Sequence, residues 1–89
     1  MTDEKPRRKR WRVRLMAGGT PIAYGEGAGI GRGYRRALTD VAPGILTDYQ
    51  IAVTLDTCMT VARRVTGLPV DMAEAVTLRG LTVEIERIR

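Results

Sequence analysis

The chain has no histidine and no phenylalanine, one cysteine (Cys58), and four aromatic side chains in 89 residues: Trp11, Tyr24, Tyr34 and Tyr49. Lacking histidine, it lacks the side chain that titrates near neutrality and most often holds a transition metal. A lone thiol excludes an intramolecular disulfide and any cluster of thiolate ligands. With so few aromatics, the core has to be aliphatic. No apolar run is long enough to span a bilayer and no secretory leader pattern is present, which points to a cytoplasmic protein. The length allows one domain.

The carboxylates do not make up for these absences. They are scattered along the chain or sit where helix caps and strand ladders need them, so no general base, nucleophile or metal set emerges. Cys58 falls on an apolar helical stripe and reads as a small buried hydrophobe. The expectation is a protein that is not an enzyme, with no catalytic residues, no metal and no cofactor.

What the chain does have is a lopsided charge. Lys5, Arg7, Arg8, Lys9, Arg10, Arg12 and Arg14 lie in the first fourteen residues against only Asp3 and Glu4, while the remaining chain is balanced, so this segment holds the whole net charge of +5. Arginine greatly outnumbers lysine, a bias that a GC-rich coding genome explains better than phosphate recognition does, so arginine usage adds little to a nucleic-acid reading. Residues 1–9 are polar, contain Pro6 and show no apolar periodicity, and are expected to form a disordered basic arm on a single small α+β domain over 10–89.

From Arg10 onward, Trp11, Val13, Leu15 and Ala17 alternate with Arg10, Arg12, Arg14 and Met16, the period of a half-buried strand with a basic outer face. Gly18-Gly19 suits a tight hairpin, and Pro21-Ile22-Ala23-Tyr24 reads as a short returning edge strand. Glycines then recur at every second position from Gly25 to Gly33. Dinucleotide, single-strand RNA and Walker loops require other spacings. Two readings remain: an anion nest feeding a helix that carries Arg32, Arg35 and Arg36, or a mobile or bare-faced segment against which another backbone packs. The even spacing favours the second.

Tyr34, Ala37, Leu38 and Val41 predict a short helix from about Gly33, stopped by Pro43-Gly44. Thr47 and Gln50 form a capping box for a longer helix ending near Gly67, with Ile51, Leu55, Cys58, Met59, Ala62 and Val65 as its apolar stripe and Val53 and Val61 as a second edge. Arg63 and Arg64 complement the dipole at its C-terminus. Asp71 to Glu74 repeats the capping-box spacing for a further turn, and Leu81, Val83 and Ile85 alternate with Thr82, Glu84 and Glu86 in a final strand.

Arg10, Arg12 and Arg14 on the outer face of the first strand match Glu84 and Glu86 on that of the last. Opposite charges across a ladder stabilise a pairing by about 0.2–1 kcal/mol, so the first and last strands should be neighbours. The expected fold is α+β: a three-stranded antiparallel sheet (β-β-α-α-β, order 2-1-3) with helices packed on one face. Trp11 and Tyr24 are expected to point inward, leaving no aromatic to stack bases on the open face.

Two functions fit. One is a nucleic-acid-associated accessory protein binding DNA or RNA without sequence specificity through Lys5, Arg7, Arg8, Lys9, Arg10, Arg32, Arg35 and Arg36. The alternative is a protein-interaction module with a merely solubilising arm. That module would be an adaptor, inhibitor or self-assembling accessory protein of phage or mobile-element character, docking on a host protein or forming a homodimer.

Overall fold

The computed structural model describes residues 9–65 and 67–89. Strand β1 (Trp11–Ala17) turns through Gly18-Gly19 into β2 (Thr20–Gly27), and helices α1 (Ile30–Asp40) and α2 (Asp48–Arg64) lead to the hairpin of β3 (Ala73–Leu78) and β4 (Leu81–Arg87). The four strands form one antiparallel sheet in the order β2-β1-β4-β3. This corrects the expected three-stranded sheet of order 2-1-3. The first and last strands are neighbours as their charges require, but a fourth strand lies outside the last.

The missed strand has a physical explanation. Alternation is legible only where one face of a strand is dry and the other wet. In β3 all residues are exposed except the half-buried Val76, so no such contrast was written into Ala73–Leu78. Asp71 and Glu74 do not cap a helical turn. Asp71 adopts a left-handed φ of 68° and its amide donates to the Arg87 carbonyl (2.7 Å), while Met72 accepts from the Arg87 amide, so the chain has already joined β4. Arg79 and Gly80 both have positive φ (53° and 78°), which closes the hairpin with the two-residue turn that matches strand twist. Gly18 and Gly19 do the same for β1–β2 at φ 57° and 82°.

One face of the sheet holds the core. Trp11, Val13 and Leu15 of β1 and Leu81, Val83 and Ile85 of β4 are buried beneath the helices, with Tyr34 and Ala37 of α1 and Cys58 and Val61 of α2 above them. Gly25 and Gly27 stand on this same inner face, opposite Val13 and Trp11. A Cβ on Gly25 would collide with the Ala37 nitrogen and the Gly33 carbonyl oxygen, and one on Gly27 would come 2.8 Å from the Arg32 Cβ. Gly25 and Gly27 are therefore the bare face on which α1 lies, Gly33 faces them from the helix, and Gly29 and Gly31 meet nothing; the helix starts at Ile30, earlier than Gly33.

Helix α2 has its expected capping box, with the Gln50 amide donating to Thr47 Oγ1 (3.1 Å) and the Thr47 amide to Gln50 Oε1 (2.9 Å). It ends at Arg64 with Val65 at the cap, short of Gly67. Its buried side is rotated from the expected stripe. Val53, Thr54, Thr57, Cys58 and Val61 face the core, whereas Ile51, Leu55 and Met59 are exposed. Burying threonine is inexpensive here because Thr54 Oγ1 donates to the Ile51 carbonyl and Thr57 Oγ1 to that of Val53, both at 2.7 Å, so no polar atom is stranded. Tyr34 of α1 adds its hydroxyl to Thr54 Oγ1 at 2.8 Å and ties the two helices together.

Candidate functional site

The outer face of the sheet is a lattice of alternating charge. Arg12 on β1 lies between Glu26 on β2 and Glu86 on β4. Its Nη2 donates to Glu26 Oε2 at 3.1 Å and its Nη1 to Glu86 Oε1 at 3.3 Å. Arg14 Nη1 reaches Glu84 Oε1 at 2.8 Å, and Arg10 Nε reaches Glu26 Oε1 at 3.4 Å. The hydrogen bond from Arg12, with that from Arg10 second, holds the Glu26 carboxyl below the usual carboxylate range. Three arginines and three glutamates on one face leave it without net charge.

Tyr24 belongs to this outer face, contrary to expectation. It is 57% exposed and opposite Arg14, with the Arg12 guanidinium carbon 6.0 Å from its ring centroid. Trp11 is buried as its place in the alternation requires.

The edges of the sheet differ. Asp40 of α1 accepts from the Tyr24 amide (Oδ2, 3.4 Å), and Arg36 Nη1 donates to the Glu26 carbonyl at 2.8 Å. Both backbone groups belong to β2, so α1 closes that edge with its own side chains. Arg36 is thereby committed to the fold. At the opposite edge, β3 is covered by nothing among the described residues.

One end of the sheet gathers cations that the lattice does not neutralise. The Arg10 amide donates to the Arg89 carbonyl at 3.0 Å, and Trp11 stands between Gly27 and Arg87. That brings the exit of the arm, the start of α1 and the end of β4 together. The Arg87 guanidinium donates to the Leu68 carbonyl at 2.8 Å, which fixes the chain just after the C-terminus of α2, with Arg63 and Arg64, at the same end. Lys9, Arg32, Arg63 and Arg64 are exposed there, and among the described residues none of them forms an ion pair. Among the described residues, neither Asp71 nor Glu74 at the start of β3 forms an ion pair. Arg35 lies one turn further along α1 and is also exposed.

The candidate binding residues thus separate. Lys5, Arg7 and Arg8 lie outside the described residues. Lys9 and Arg32 belong to the basic end. Arg10 is held by Glu26 and Arg36 by the β2 edge, which removes both from a free phosphate-binding set. Arg63 and Arg64 are set aside in the sequence because two arginines at a helix C-terminus already have a local electrostatic role. Only the topology shows that this terminus meets the arm.

Cys58 is buried, and desolvation pushes its thiol up to about 11. Among the described residues no group of histidine, cysteine, aspartate and glutamate side chains comes together as a metal site needs, and no helix is long and apolar enough to cross a membrane. No protein-family model, curated protein or solved structure matches the chain.

Proposed function

We propose that the protein binds polyanions, nucleic acid in particular, at the basic end of its sheet, with no catalytic role. The observation that carries this reading is the exposure of Lys9, Arg32, Arg63 and Arg64 at one end of the sheet, the end at which the chain arrives from Lys5, Arg7 and Arg8. Cations from two helices, in addition to those of the arm, give several phosphate contacts, and each contact releases condensed counterions. Nothing on the sheet face offers a stacking platform: Trp11 is buried and the exposed Tyr24 stands alone among ion pairs. Recognition is therefore of backbone charge, blind to base sequence, with affinities on the order of 10⁻⁴–10⁻⁶ M at physiological salt. The single buried thiol suits a reducing compartment, and the cytoplasm is the location that goes with this reading.

The test is fluorescence anisotropy with a labelled duplex and a labelled single strand at several salt concentrations. It uses the full chain, a chain lacking residues 1–9, and the double substitution Arg63→Glu with Arg64→Glu. Both changes should weaken binding and flatten the dependence of log affinity on log salt. Absence of binding by the full chain at low salt overturns the proposal. Binding unchanged by the helix substitution removes the basic end from it and leaves the arm.

A second reading rests on a separate observation. Tyr49, Leu55 and Met59 of α2 are roughly half exposed and, with Asp56 among them, face Leu78 and Arg79 across a groove beside the uncovered β3 edge. An apolar helix face next to an open strand is a protein-docking surface.

A further inference from the structure

We infer that the open β3 edge pairs with the same edge of a second copy, joining two sheets into one continuous antiparallel sheet with the α2 helices in contact across the dyad. The inference rests on the second reading above and names its partner. It is independent of polyanion binding.

The backbone dictates the pairing. Met72 directs its carbonyl to β4, and Leu78 faces Leu81 across the two-residue turn, so even-numbered residues of β3 spend their hydrogen bonds on β4. The N–H and C=O groups of Ala73, Ala75 and Thr77 point the other way. A strand edge with this pattern is complementary to itself under two-fold rotation. Glu74, Val76 and Leu78 lie on the helix face of the sheet, opposite Ile85, Val83 and Leu81. A dyad normal to the sheet preserves that face, so even residues must meet even residues. With the dyad at Val76, Val76 meets its own copy, Glu74 meets Leu78, and Ala75 and Thr77 exchange backbone hydrogen bonds.

Charge favours this antiparallel arrangement. Glu74 is the one ionisable residue within β3, and Arg79 follows its last residue. Pairing about Val76 brings each Glu74 beside the Arg79 that flanks the opposing Leu78. A parallel pairing of the same two edges requires a dyad along the strands, which reverses the faces and puts the two α2 helices on opposite sides of the sheet.

The helices fit the same geometry. Helix α2 packs on both β3 and β4, so its axis lies about one strand spacing, about 5 Å, from the dyad. Two copies then stand about 10 Å apart, at the upper end of ordinary interhelix distances. The residues between them are Tyr49, Ala52, Leu55, Asp56 and Met59, the exposed α2 side chains that line the groove beside Leu78. At the other edge of the sheet, Asp40 and Arg36 occupy the equivalent backbone groups of β2. One edge is closed by the chain itself and the other is left for a partner.

The experiment is sedimentation equilibrium of the full chain over a range of concentrations, with Ala75→Pro and Met59→Lys alongside. The Ala75 amide points away from β4, so proline there costs the monomer no ladder hydrogen bond but blocks the intermolecular one. Wild type should approach twice the 9.8 kDa chain mass as concentration rises, and each variant should remain at the chain mass with an unchanged circular dichroism spectrum. If a variant does not fold, hydrogen exchange decides on the wild type alone. The Ala73, Ala75 and Thr77 amides should gain at least tenfold protection on concentration, and constant exchange overturns the inference. A wild type that stays monomeric overturns it, as does a dimer indifferent to both substitutions. Should a monomeric wild type retain a host protein that Met59→Lys releases, the docking surface stands with a different partner. Should both retain it equally, the docking surface fails as well.

Discussion

Gly25 of β2 lies directly beneath Ala37 of α1, with no room for a side chain between strand and helix. This contact sets how closely α1 approaches the sheet, and through it where Arg32 and the edge-closing pair Arg36 and Asp40 come to rest. Substituting Gly25 by alanine should cost about 2–3 kcal/mol or more, because the atoms in the way are backbone and cannot rotate aside. Gly31 is the control. It is exposed within α1, and a Cβ there meets nothing within 4 Å, so Gly31→Ala should stabilise by about 0.5–1 kcal/mol through helix propensity. Urea denaturation of the two variants measures both effects.

Arg14 and Glu84 test whether the charge lattice specifies strand order. They face each other across β1 and β4 at 2.8 Å with half-exposed side chains. Glu84→Arg alone should destabilise by about 0.5–1 kcal/mol by placing two arginines opposite each other, and Arg14→Glu with Glu84→Arg should recover most of that loss. A double-mutant cycle with no coupling would show that these charges decorate the pairing without directing it.

Tyr34 and Thr54 join the helices through a buried hydroxyl contact, in which Thr54 is already committed to the Ile51 carbonyl. Tyr34→Phe removes one partner and leaves Thr54 satisfied, so the loss should be near 1 kcal/mol. Thr54→Val removes the group to which Tyr34 is anchored and leaves that hydroxyl the longer 3.3 Å contact to the Ile51 carbonyl. Its cost should be the larger of the two in thermal denaturation.

Two groups make stability depend on pH in opposite directions. Glu26 is held below the ordinary carboxylate range by Arg12 and then Arg10. Its stabilising share is therefore complete above the unfolded value, near 4.3, and is lost as pH falls through the lowered folded value. Glu26→Gln should weaken the acid dependence of the urea midpoint. Cys58 is raised to about 11 by burial, so the folded state retains a proton that the unfolded chain releases. Stability should fall as pH rises from about 9 toward 11, and Cys58→Ala should flatten that limb. Below pH 9 the folded thiol should alkylate no faster than the protein opens.

Much of the fold was legible because the sequence carries strong contrasts. β1 and β4 alternate apolar with charged residues, Thr47 and Gln50 spell a capping box, and the arginine and glutamate ladders match only if the first and last strands are adjacent. The features that were not legible lack such a contrast. β3 is exposed on both sides, so its period was invisible and its Glu74 resembled a cap. The α2 stripe was misplaced because hydropathy ranks leucine and methionine above threonine, while Thr54 and Thr57 satisfy their hydroxyls on their own helix and can be buried. Tyr24 was turned inward on hydrophobicity alone, although its position opposite Arg14 places it outside.

The residues by themselves determined the locally encoded parts of this protein: the two half-buried strands, the glycine turns, the capped helix, the arginine and glutamate ladders of the first and last strands, and the lone thiol. Each depends on neighbours a few positions apart or on a period repeated along one segment. Tertiary structure alone decided which cations are free and which edge is open. Arg10 and Arg36 look identical to Arg63 and Arg64 in the chain, yet the first two fall beside Glu26 and the β2 backbone while the others reach solvent near the arm. The basic segment therefore does not end at Arg14. Its strand arginines are neutralised across the sheet, and its charge is continued by α1 and α2, which only folding brings to the same end.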